Sequence, residues 1–414
     1  MRDRETVARR IGREQLLAFR LRRHHLAARL PADGLLRAAG ACGIRNAPPW
    51  AAPLSFAARV ADLTPDDLDR AVETEKSLIQ VWSLRCTPAY VPTRDLAVFT
   101  TALLPTDEEA TRLLLPRVTP LLDRLGLSAT EARRRTTAAA RDVLDGRILT
   151  KSELQDEIEA RVGLDIWPWC DGCRLPHIHD SQLCLVAAEQ VCCFGRRNGN
   201  RPQFLRVDQW LGAAPPAVPA DTARAELVRR YLRCYGPSTA ADFAEWAGVT
   251  LPDARHSWRL VAPELADVAV EGVGSTRSGK GGGGRQRGHG AVLRDDLPHL
   301  EAPADAAGAA DSGEARLLPP GDPYLLLRDR ETLVPDKAHR AAVWRATGSP
   351  GVVLVGAQAV ATWRMQSRGK RLAVAVAPFG ALSADARVQI ETEADVLARF
   401  RGCDAAEVRL APAA

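Results

Sequence analysis

The sequence contains no run of about 18 consecutive apolar residues, so no membrane-spanning helix is expected. Its N-terminus, MRDRETVARRIGREQ, is charged where a secretory signal peptide needs an apolar segment, so export is not expected either. The nine cysteines are an odd number in a chain without an export signal, which favours free thiols over a disulfide framework. These absences predict a cytoplasmic protein.

Lysine is also scarce, since five of the 56 lysine and arginine residues are lysine. A GC-rich genome explains such a bias, but arginine also suits bidentate contacts with phosphate. The net charge is only +5, whereas residues 1–30 carry nine arginines against three acidic residues. Apolar residues recur there at helical spacing, which predicts a helix with one buried stripe and a basic opposite face. The alternatives for that face are ordinary solvation and contact with DNA phosphates through Arg20, Arg22 and Arg23.

Several catalytic motifs are absent from the chain. There is no Ser-His-Asp order, no GxSxG, no HExxH, and no Gly-Lys-Ser/Thr placed as a phosphate-binding loop requires. WPWCDGCRLPHIHD does contain Cys170, Cys173, His177 and His179, whose side chains are of the type that binds zinc. The histidine spacing departs from that of a zinc finger, so a chance cluster is preferred and neither a metal nor a cofactor is predicted. A zinc-dependent enzyme is the alternative.

Two stretches have the outline of a winged helix-turn-helix, in which helices precede a β-hairpin wing. In residues 106–215, helical patterns lead to RRNGNRPQFLRV, where Asn198-Gly199 is a hairpin signal. In residues 216–300 the same order returns, with the glycine-rich loop GSTRSGKGGGGRQRGHG at the predicted wing tip. This loop is either a disordered insertion or a phosphate-binding segment. Its candidate DNA contacts are Arg277, Lys280, Arg285 and Arg287.

The two ends of the chain complete the predicted architecture. Residues 1–105 are predicted to form a related unit with the elbow GIRNAPP, and residues 315–414 a C-terminal domain. In that domain, VVLVGAQAVATWRM and RLAVAVAPFG alternate with period two, as antiparallel strands do. The predicted fold class is therefore α+β, with tandem winged-helix units and a β-rich C-terminal α/β domain. Before these strands, GDPYLLLRDR forms either a structural salt-bridge cluster or part of a site.

Several short motifs, taken in order, resemble one known family. They are the N-terminal arginine-rich segment, GIRNA at Gly43–Ala47, Arg59 in AARV, RCTPAYVPTRDL, GDPYLLLRDR and ATWR. Together they resemble the AlkZ/YcaQ-type winged-helix DNA glycosylase superfamily over essentially the whole chain. The resemblance implies three tandem winged-helix units and a β-rich domain, arranged around a DNA-binding channel.

The resemblance also implies hydrolysis of the N-glycosidic bond of alkylated purines. In the family, two glutamines of the elbow orient the attacking water, and in this chain they fall on Arg45 and Ala47, with Asn46 expected to point the other way. No lysine has a catalytic context, so an enzyme of this kind would be monofunctional. The implied site wall consists of Arg45, Asn46 and Arg85, with Asp95 and Asp322 as nearby carboxylates.

The predicted partner is damaged double-stranded DNA, which would make the protein nucleoid-associated. A monomer is expected because no coiled-coil dimerisation segment is visible. Two functions remain open. Retention of the other motifs favours a DNA glycosylase, whereas loss of both glutamines favours a non-enzymatic lesion sensor or regulator. Arg45 would then grip a phosphate or a damaged base, and its structural alternative is a salt bridge within the first unit.

Overall fold

The computed structural model describes residues 9–163, 165–199, 201–271, 289–303 and 314–411. The structure is 49% helical and 21% strand, which confirms the α+β class. The helices are α1 (Arg13–Arg23), α2 (Leu35–Cys42), α3 (Ala51–Ala57), α4 (Pro65–Asp69), α5 (Leu96–Phe99), α6 (Glu108–Leu114), α7 (Thr119–Leu125), α8 (Ala129–Val143), α9 (Lys151–Val162), α10 (Asp180–Ala188), α11 (Val207–Leu211), α12 (Ala220–Tyr235), α13 (Ala240–Ala247), α14 (Leu251–Leu260), α15 (Leu297–Glu301), α16 (Arg330–Leu333), α17 (Lys337–Val343) and α18 (Ala384–Phe400). In the described ranges, none of these helices combines the length and apolar character needed to cross a bilayer.

The strands are short except in the C-terminal part of the chain. They are β1 (Arg9–Ile11), β2 (Ile44–Arg45), β3 (Leu78–Ser83), β4 (Thr87–Pro92), β5 (Leu149–Thr150), β6 (Trp169–Cys170), β7 (Leu175–Pro176), β8 (Cys192–Phe194), β9 (Gln203–Arg206), β10 (Leu265–Val270), β11 (His289–Leu293), β12 (Ala315–Leu318), β13 (Gly351–Val355), β14 (Gln358–Arg368), β15 (Arg371–Pro378) and β16 (Ala405–Leu410). The chain divides into two compact units, each built from more than one segment.

The first unit comprises Met1–Asp69, Arg229–Thr239 and Ala262–Ala414. Its larger sheet has the order β12-β13-β14-β15-β16, antiparallel except for the parallel pair β15 and β16. Burial alternates along β15, so the predicted period-two pattern is realised there. Helix α18 packs on this sheet, and Ile390 and Leu397 join its buried aliphatic side chains. The smaller sheet has the order β1-β10-β11.

The continuous helix predicted for residues 1–30 is wrong. Residues 9–11 form β1, which pairs parallel with β10 so that Ile11 lies opposite Val270. Gly12 has the extended backbone angles φ −75° and ψ 158°, and α1 begins only at Arg13. The reason is burial: Ile11 is 2% exposed in a small core that it shares with Leu16 and Val268. Pairing with β10 therefore outweighs the helical spacing of the apolar residues.

The second unit comprises Arg70–Val228 and Ala240–Val261. Strands β3 and β4 form a hairpin, and a three-stranded sheet has the order β5-β9-β8. Helices α8, α9 and α10 precede the β8–β9 hairpin in the chain, and Thr150 with Glu153 forms a capping box at the start of α9. The rings of Trp82 and Phe204 stack at 4.7 Å within the core of this unit.

The expectation of free thiols in place of a disulfide framework does not hold for one pair of cysteines. Cys86 and Cys184 form a disulfide with a Cα–Cα distance of 5.6 Å. Cys86 lies in the turn between β3 and β4 and Cys184 lies in α10, so the fold brings together residues 98 positions apart. The odd count gave no indication of this pairing, because spatial proximity decides whether two cysteines can bond.

Candidate functional site

The elbow GIRNAPP lies between α2 and α3 of the first unit. Gly43 ends α2 with φ 74°, a left-handed backbone angle that glycine adopts without strain. Asn46 is only 6% exposed, and its Oδ1 accepts a hydrogen bond of 3.3 Å from the backbone N–H of Ala52. Since the first N–H groups of a helix lack partners within the helix, this amide is committed to the start of α3. Ala47 follows without a polar side chain.

A buried ion pair lies in the same unit. Arg59 donates from Nη1 to Asp322 Oδ2 at 2.8 Å and from Nη2 to Oδ1 at 2.7 Å, and the side chains are 2% and 0% exposed. Arg59 Nη1 also donates to the Ser55 carbonyl at 2.8 Å, and Asp322 Oδ1 accepts from the Tyr324 N–H at 2.9 Å. These bonds satisfy both charged groups inside the core, as buried charges require.

The pair keeps its charge despite its burial. Burial raises the pKa of Asp322, but the charge and hydrogen bonds of Arg59 outweigh it, so the pKa lies below its usual value. Burial likewise lowers the pKa of Arg59, while the carboxylate of Asp322 raises it, and the net shift is upward. Asp322, predicted as a carboxylate near the site wall, is therefore a fully enclosed carboxylate that is bonded to arginine.

Gly321 brings the turn containing Asp322 against the elbow. Its backbone has φ +77°, and a Cβ at this position would lie 2.8 Å from the Ala47 carbonyl oxygen. The same Cβ would be 3.7 Å from Cδ of Arg45. The absence of a side chain at Gly321 therefore permits the close contact between the elbow and the Arg59–Asp322 pair.

Two other predicted site residues belong to the second unit. Arg85 is exposed in the turn between β3 and β4, with the left-handed angle φ 53°. Gly248, just beyond α13, lies against it, since a Cβ there would be 2.7 Å from the Arg85 Cα. Asp95 is half-buried at the end of the 3₁₀ turn that leads into α5. The structure thus places these two residues in one unit and Asn46 and Asp322 in the other.

The predicted basic face of α1 needs a correction at Arg20. This side chain is 4% exposed and donates to the Tyr235 carbonyl at 2.8 Å, the Gly236 carbonyl at 3.2 Å and both carboxylate oxygens of Asp329 at 2.9 and 2.7 Å. The Arg20 guanidinium is therefore committed to four internal hydrogen bonds, which disfavours its predicted contact with a DNA phosphate.

The neighbouring arginines of α1 are half-buried. Arg22 donates to the His299 carbonyl at 2.7 Å, and Arg23 pairs with Asp296. Burial lowers the pKa of Arg22, with a smaller contribution from the charge of Arg23. The remaining predicted DNA contacts lie outside the described residues: Arg277, Lys280, Arg285 and Arg287.

Three of the four possible zinc ligands converge in the second unit. Each of three residues offers one ligand atom, and these three atoms lie within 4.8 Å of one another: Cys170, Cys173 and His177. Hydrogen bonds, first among them one from the Cys173 backbone, lower the pKa of the Cys170 thiol to about 7. His179 serves a different purpose, because its Nδ1 accepts from the Ser181 N–H at 3.2 Å and caps α10.

The chain matches a known protein family over most of its length. A family model described as DNA glycosylase AlkZ-like matches residues 39–400. The chain belongs to this AlkZ-like family. A curated relative from Streptomyces sahachiroi, named interstrand DNA cross-link repair glycosylase, is 27% identical over 409 residues, covering 96% of this chain and 98% of the relative.

A solved structure supports the fold of this AlkZ-like protein. The chain matches the Streptomyces sahachiroi DNA glycosylase AlkZ with a TM-score of 0.72 over 97% of this chain and all of that one, at 24% identity. The residues that the family model matches, 39–400, include the elbow and both members of the Arg59–Asp322 pair. The sequence offered both motifs, AARV and GDPY, but no signal that Arg59 and Asp322 bond to each other.

Proposed function

We propose that this AlkZ-like protein binds alkylated or otherwise damaged duplex DNA as a nucleoid-associated monomer. The observation that carries the proposal is the family match over residues 39–400. The relative named for repair of interstrand cross-links adds support, because it aligns over nearly the whole of both chains. DNA cross-linked or alkylated on its purines is therefore the substrate class to test first.

The order of elements supports three winged-helix units as the DNA-binding scaffold. Helices α2, α3 and α4 precede the β3–β4 hairpin, α8 to α10 precede β8 and β9, and α12 to α14 precede β10 and β11. In such units a helix enters the major groove while the hairpin wing contacts the backbone. We assign these units to residues 1–105, 106–215 and 216–300, followed by the β-rich domain at 315–414.

The first candidate role on damaged DNA is that of a DNA glycosylase, which hydrolyses the N-glycosidic bond of the modified purine. The chemistry of the elbow favours a second candidate, in which the protein binds the lesion without releasing the base. An alkylated purine leaves readily, so an enzyme mainly has to position water and stabilise a cationic sugar. Neither Arg45 nor Ala47 supplies an amide, and the Asn46 amide is bonded to the start of α3. A fixed cation about 4 Å from the sugar would oppose the transition state by on the order of 4 kcal/mol in a partly screened site.

Base release from duplex DNA containing N7-methylguanine tests the two candidates. The natural protein is compared with the Arg45→Gln, Ala47→Gln double variant and with Arg45→Met, which removes the cation without restoring an amide. Release by the double variant alone supports lesion binding as the natural role. Release by the natural protein contradicts that role and makes it a glycosylase that works without the paired glutamines.

Affinity measurements test the broader proposal. Fluorescence anisotropy with damaged and undamaged duplexes of one sequence should show tighter binding to the damaged one. If methylated and cross-linked duplexes both bind with the same affinity as the undamaged duplex, damage recognition is contradicted, whatever the outcome of the base-release assay.

A further inference from the structure

The turn between β6 and β7 holds two cysteines in a conformation suited to a metal. The segment is CDGC, and the Arg174 N–H donates to the Cys170 carbonyl at 2.7 Å, which closes the turn. Arg174 has φ 57°, in the left-handed region that non-glycine residues seldom adopt. This chain reversal brings the sulfurs of Cys170 and Cys173 within 4.8 Å of each other.

His177 presents a suitable third atom to the two sulfurs. Its Nδ1 lies 2.7 Å from the Ile178 carbonyl, which can only accept, so Nδ1 carries the proton and Nε2 has a free lone pair. Nε2 is buried, and no nitrogen or oxygen in the described part of the chain bonds to it. A metal-bound histidine usually donates its other N–H to a carbonyl in this way.

Helix α9 fixes the segment that carries this histidine. Gln155 donates to the Ile178 carbonyl at 2.9 Å, and Glu159 accepts from the Ile178 N–H at 2.7 Å. The imidazole is thus oriented by contacts that do not use Nε2. Such supporting bonds hold a ligand set in place before a metal arrives.

We propose that Cys170, Cys173 and His177 bind one Zn²⁺ ion, with a water molecule as the fourth ligand. Zn–S bonds of about 2.3 Å and Zn–N bonds of about 2.0 Å place the ligand atoms of a tetrahedron roughly 3.5–3.8 Å apart. The two sulfurs and the imidazole nitrogen lie within 4.8 Å of one another. Small adjustments of these side chains are therefore enough to reach the tetrahedral spacing. Thiolate and imidazole ligands select zinc over magnesium or calcium, and the Cys-x2-Cys spacing is common in zinc sites.

Another group of thiol and imidazole ligands is less suited to a metal. His24, Cys42 and Cys234 are all buried in the first unit. Nε2 of His24 lies 3.2 Å from the Cys234 carbonyl, and the Cys234 thiol faces the Ala41 carbonyl at 3.6 Å. These contacts occupy an imidazole nitrogen and a sulfur that a metal would need. Among the described residues, the β6–β7 turn therefore offers the better site.

Zinc would anchor the hairpin that precedes α10. Strands β6 and β7 have two residues each, and Trp169 in β6 is 58% exposed, so little apolar burial holds the hairpin. An ion that binds only the folded state adds its binding free energy to the stability of that state. We expect zinc to raise the melting temperature of the full-length protein.

Metal analysis of the purified full-length protein tests the site. After incubation with zinc and removal of unbound metal, the natural protein and the H179N control should each retain about one equivalent, since Asn can still cap α10. C170S, C173S and H177A should each lose that equivalent. A natural protein that retains no zinc, or a C170S variant that retains as much as the natural protein, would overturn the proposal.

Cobalt spectroscopy tests the site in the natural protein, so its result does not depend on whether the variants fold. Co²⁺ added to the metal-free natural protein should produce the thiolate-to-cobalt charge-transfer absorption of a tetrahedral site, and added Zn²⁺ should abolish it. A spectrum of octahedral cobalt without thiolate absorption would contradict the assigned ligands. Neither readout depends on DNA binding or base release, so the zinc site and the proposed function can fail separately.

Discussion

Arg59 and Asp322 form a two-bond ion pair across 263 positions of sequence, with distances of 2.8 and 2.7 Å and with both side chains almost fully buried. The pair joins the end of α3 to the turn that lies against the elbow. Since Asp322 is enclosed and already bonded, we propose that it positions the elbow and does not transfer a proton.

The substitution D322N should destabilise the protein strongly. It leaves the Arg59 charge buried without its counter-ion, and breaking a buried pair in this way costs about 3–5 kcal/mol. Urea unfolding measures the loss. The matched control is E131Q, whose carboxylate pairs with Arg134 and Arg135 at the surface of α8, and which should show no measurable change. Equal stability of D322N and E131Q would show that the buried pair has no structural role.

The same pair should appear in the dependence of stability on pH. The folded-state pKa of Asp322 lies below its ordinary value of 3.8, so its contribution is fully present above about pH 3.8. That contribution is lost as the pH falls through the lower folded-state value, at up to about 1.4 kcal/mol per pH unit. The difference in unfolding free energy between the natural protein and D322N should therefore shrink in acid. A difference that stays constant from pH 5 to pH 2 would contradict the shift.

Arg20 should affect folding and leave the electrostatics of DNA binding unchanged. R20A removes donors from the Tyr235 and Gly236 carbonyls and the counter-ion of Asp329, with an expected loss of about 3 kcal/mol. The slope of log K against log salt concentration should match that of the natural protein, measured where both are folded. A slope smaller by about 0.9 would mean that Arg20 does contact a phosphate.

The sequence reveals strands through their local residue pattern, but it does not reveal which distant residues contact each other. In the C-terminal sheet, β15 follows the predicted period-two pattern, whereas β12 is buried at every residue and β16 is a largely exposed edge strand, so that pattern does not identify these two. The arginines of α1 look alike in sequence, and Arg20 is distinguished from its neighbours by contacts with distant residues, among them Asp329, 309 positions away. The zinc-type ligands were recognisable by type, whereas their convergence depends on the β6–β7 turn. Long-range pairing therefore limits prediction of the site more than helix or strand propensity does.

The glycine-rich segment predicted as a wing tip should contribute to DNA affinity through its charge. Replacing Arg277, Lys280, Arg285 and Arg287 with glutamine should reduce the slope of log K against log salt by about 0.9 for each phosphate contact that is lost. Affinity should fall similarly for damaged and undamaged duplexes, because phosphate contacts carry no base information. R409Q, which removes an exposed arginine paired with Glu407 on β16, is the control. An unchanged slope in the fourfold variant would remove this segment from the DNA interface.

Gly321 offers the sharpest test of the contact between the elbow and the buried ion pair. Both G321A and the control G126A place alanine at a left-handed position, with φ +77° and +62°, which costs about 1–2 kcal/mol in each. Only G321A adds a clash, because its Cβ would lie 2.8 Å from the Ala47 carbonyl oxygen, whereas Gly126 has open space. G321A should therefore lose more stability in urea unfolding and should weaken binding to N7-methylguanine duplex, while G126A binds normally. If both variants lose equal stability and bind equally well, the turn at Gly321 does not set the position of the elbow, and the Arg59–Asp322 pair stabilises the fold without shaping the site.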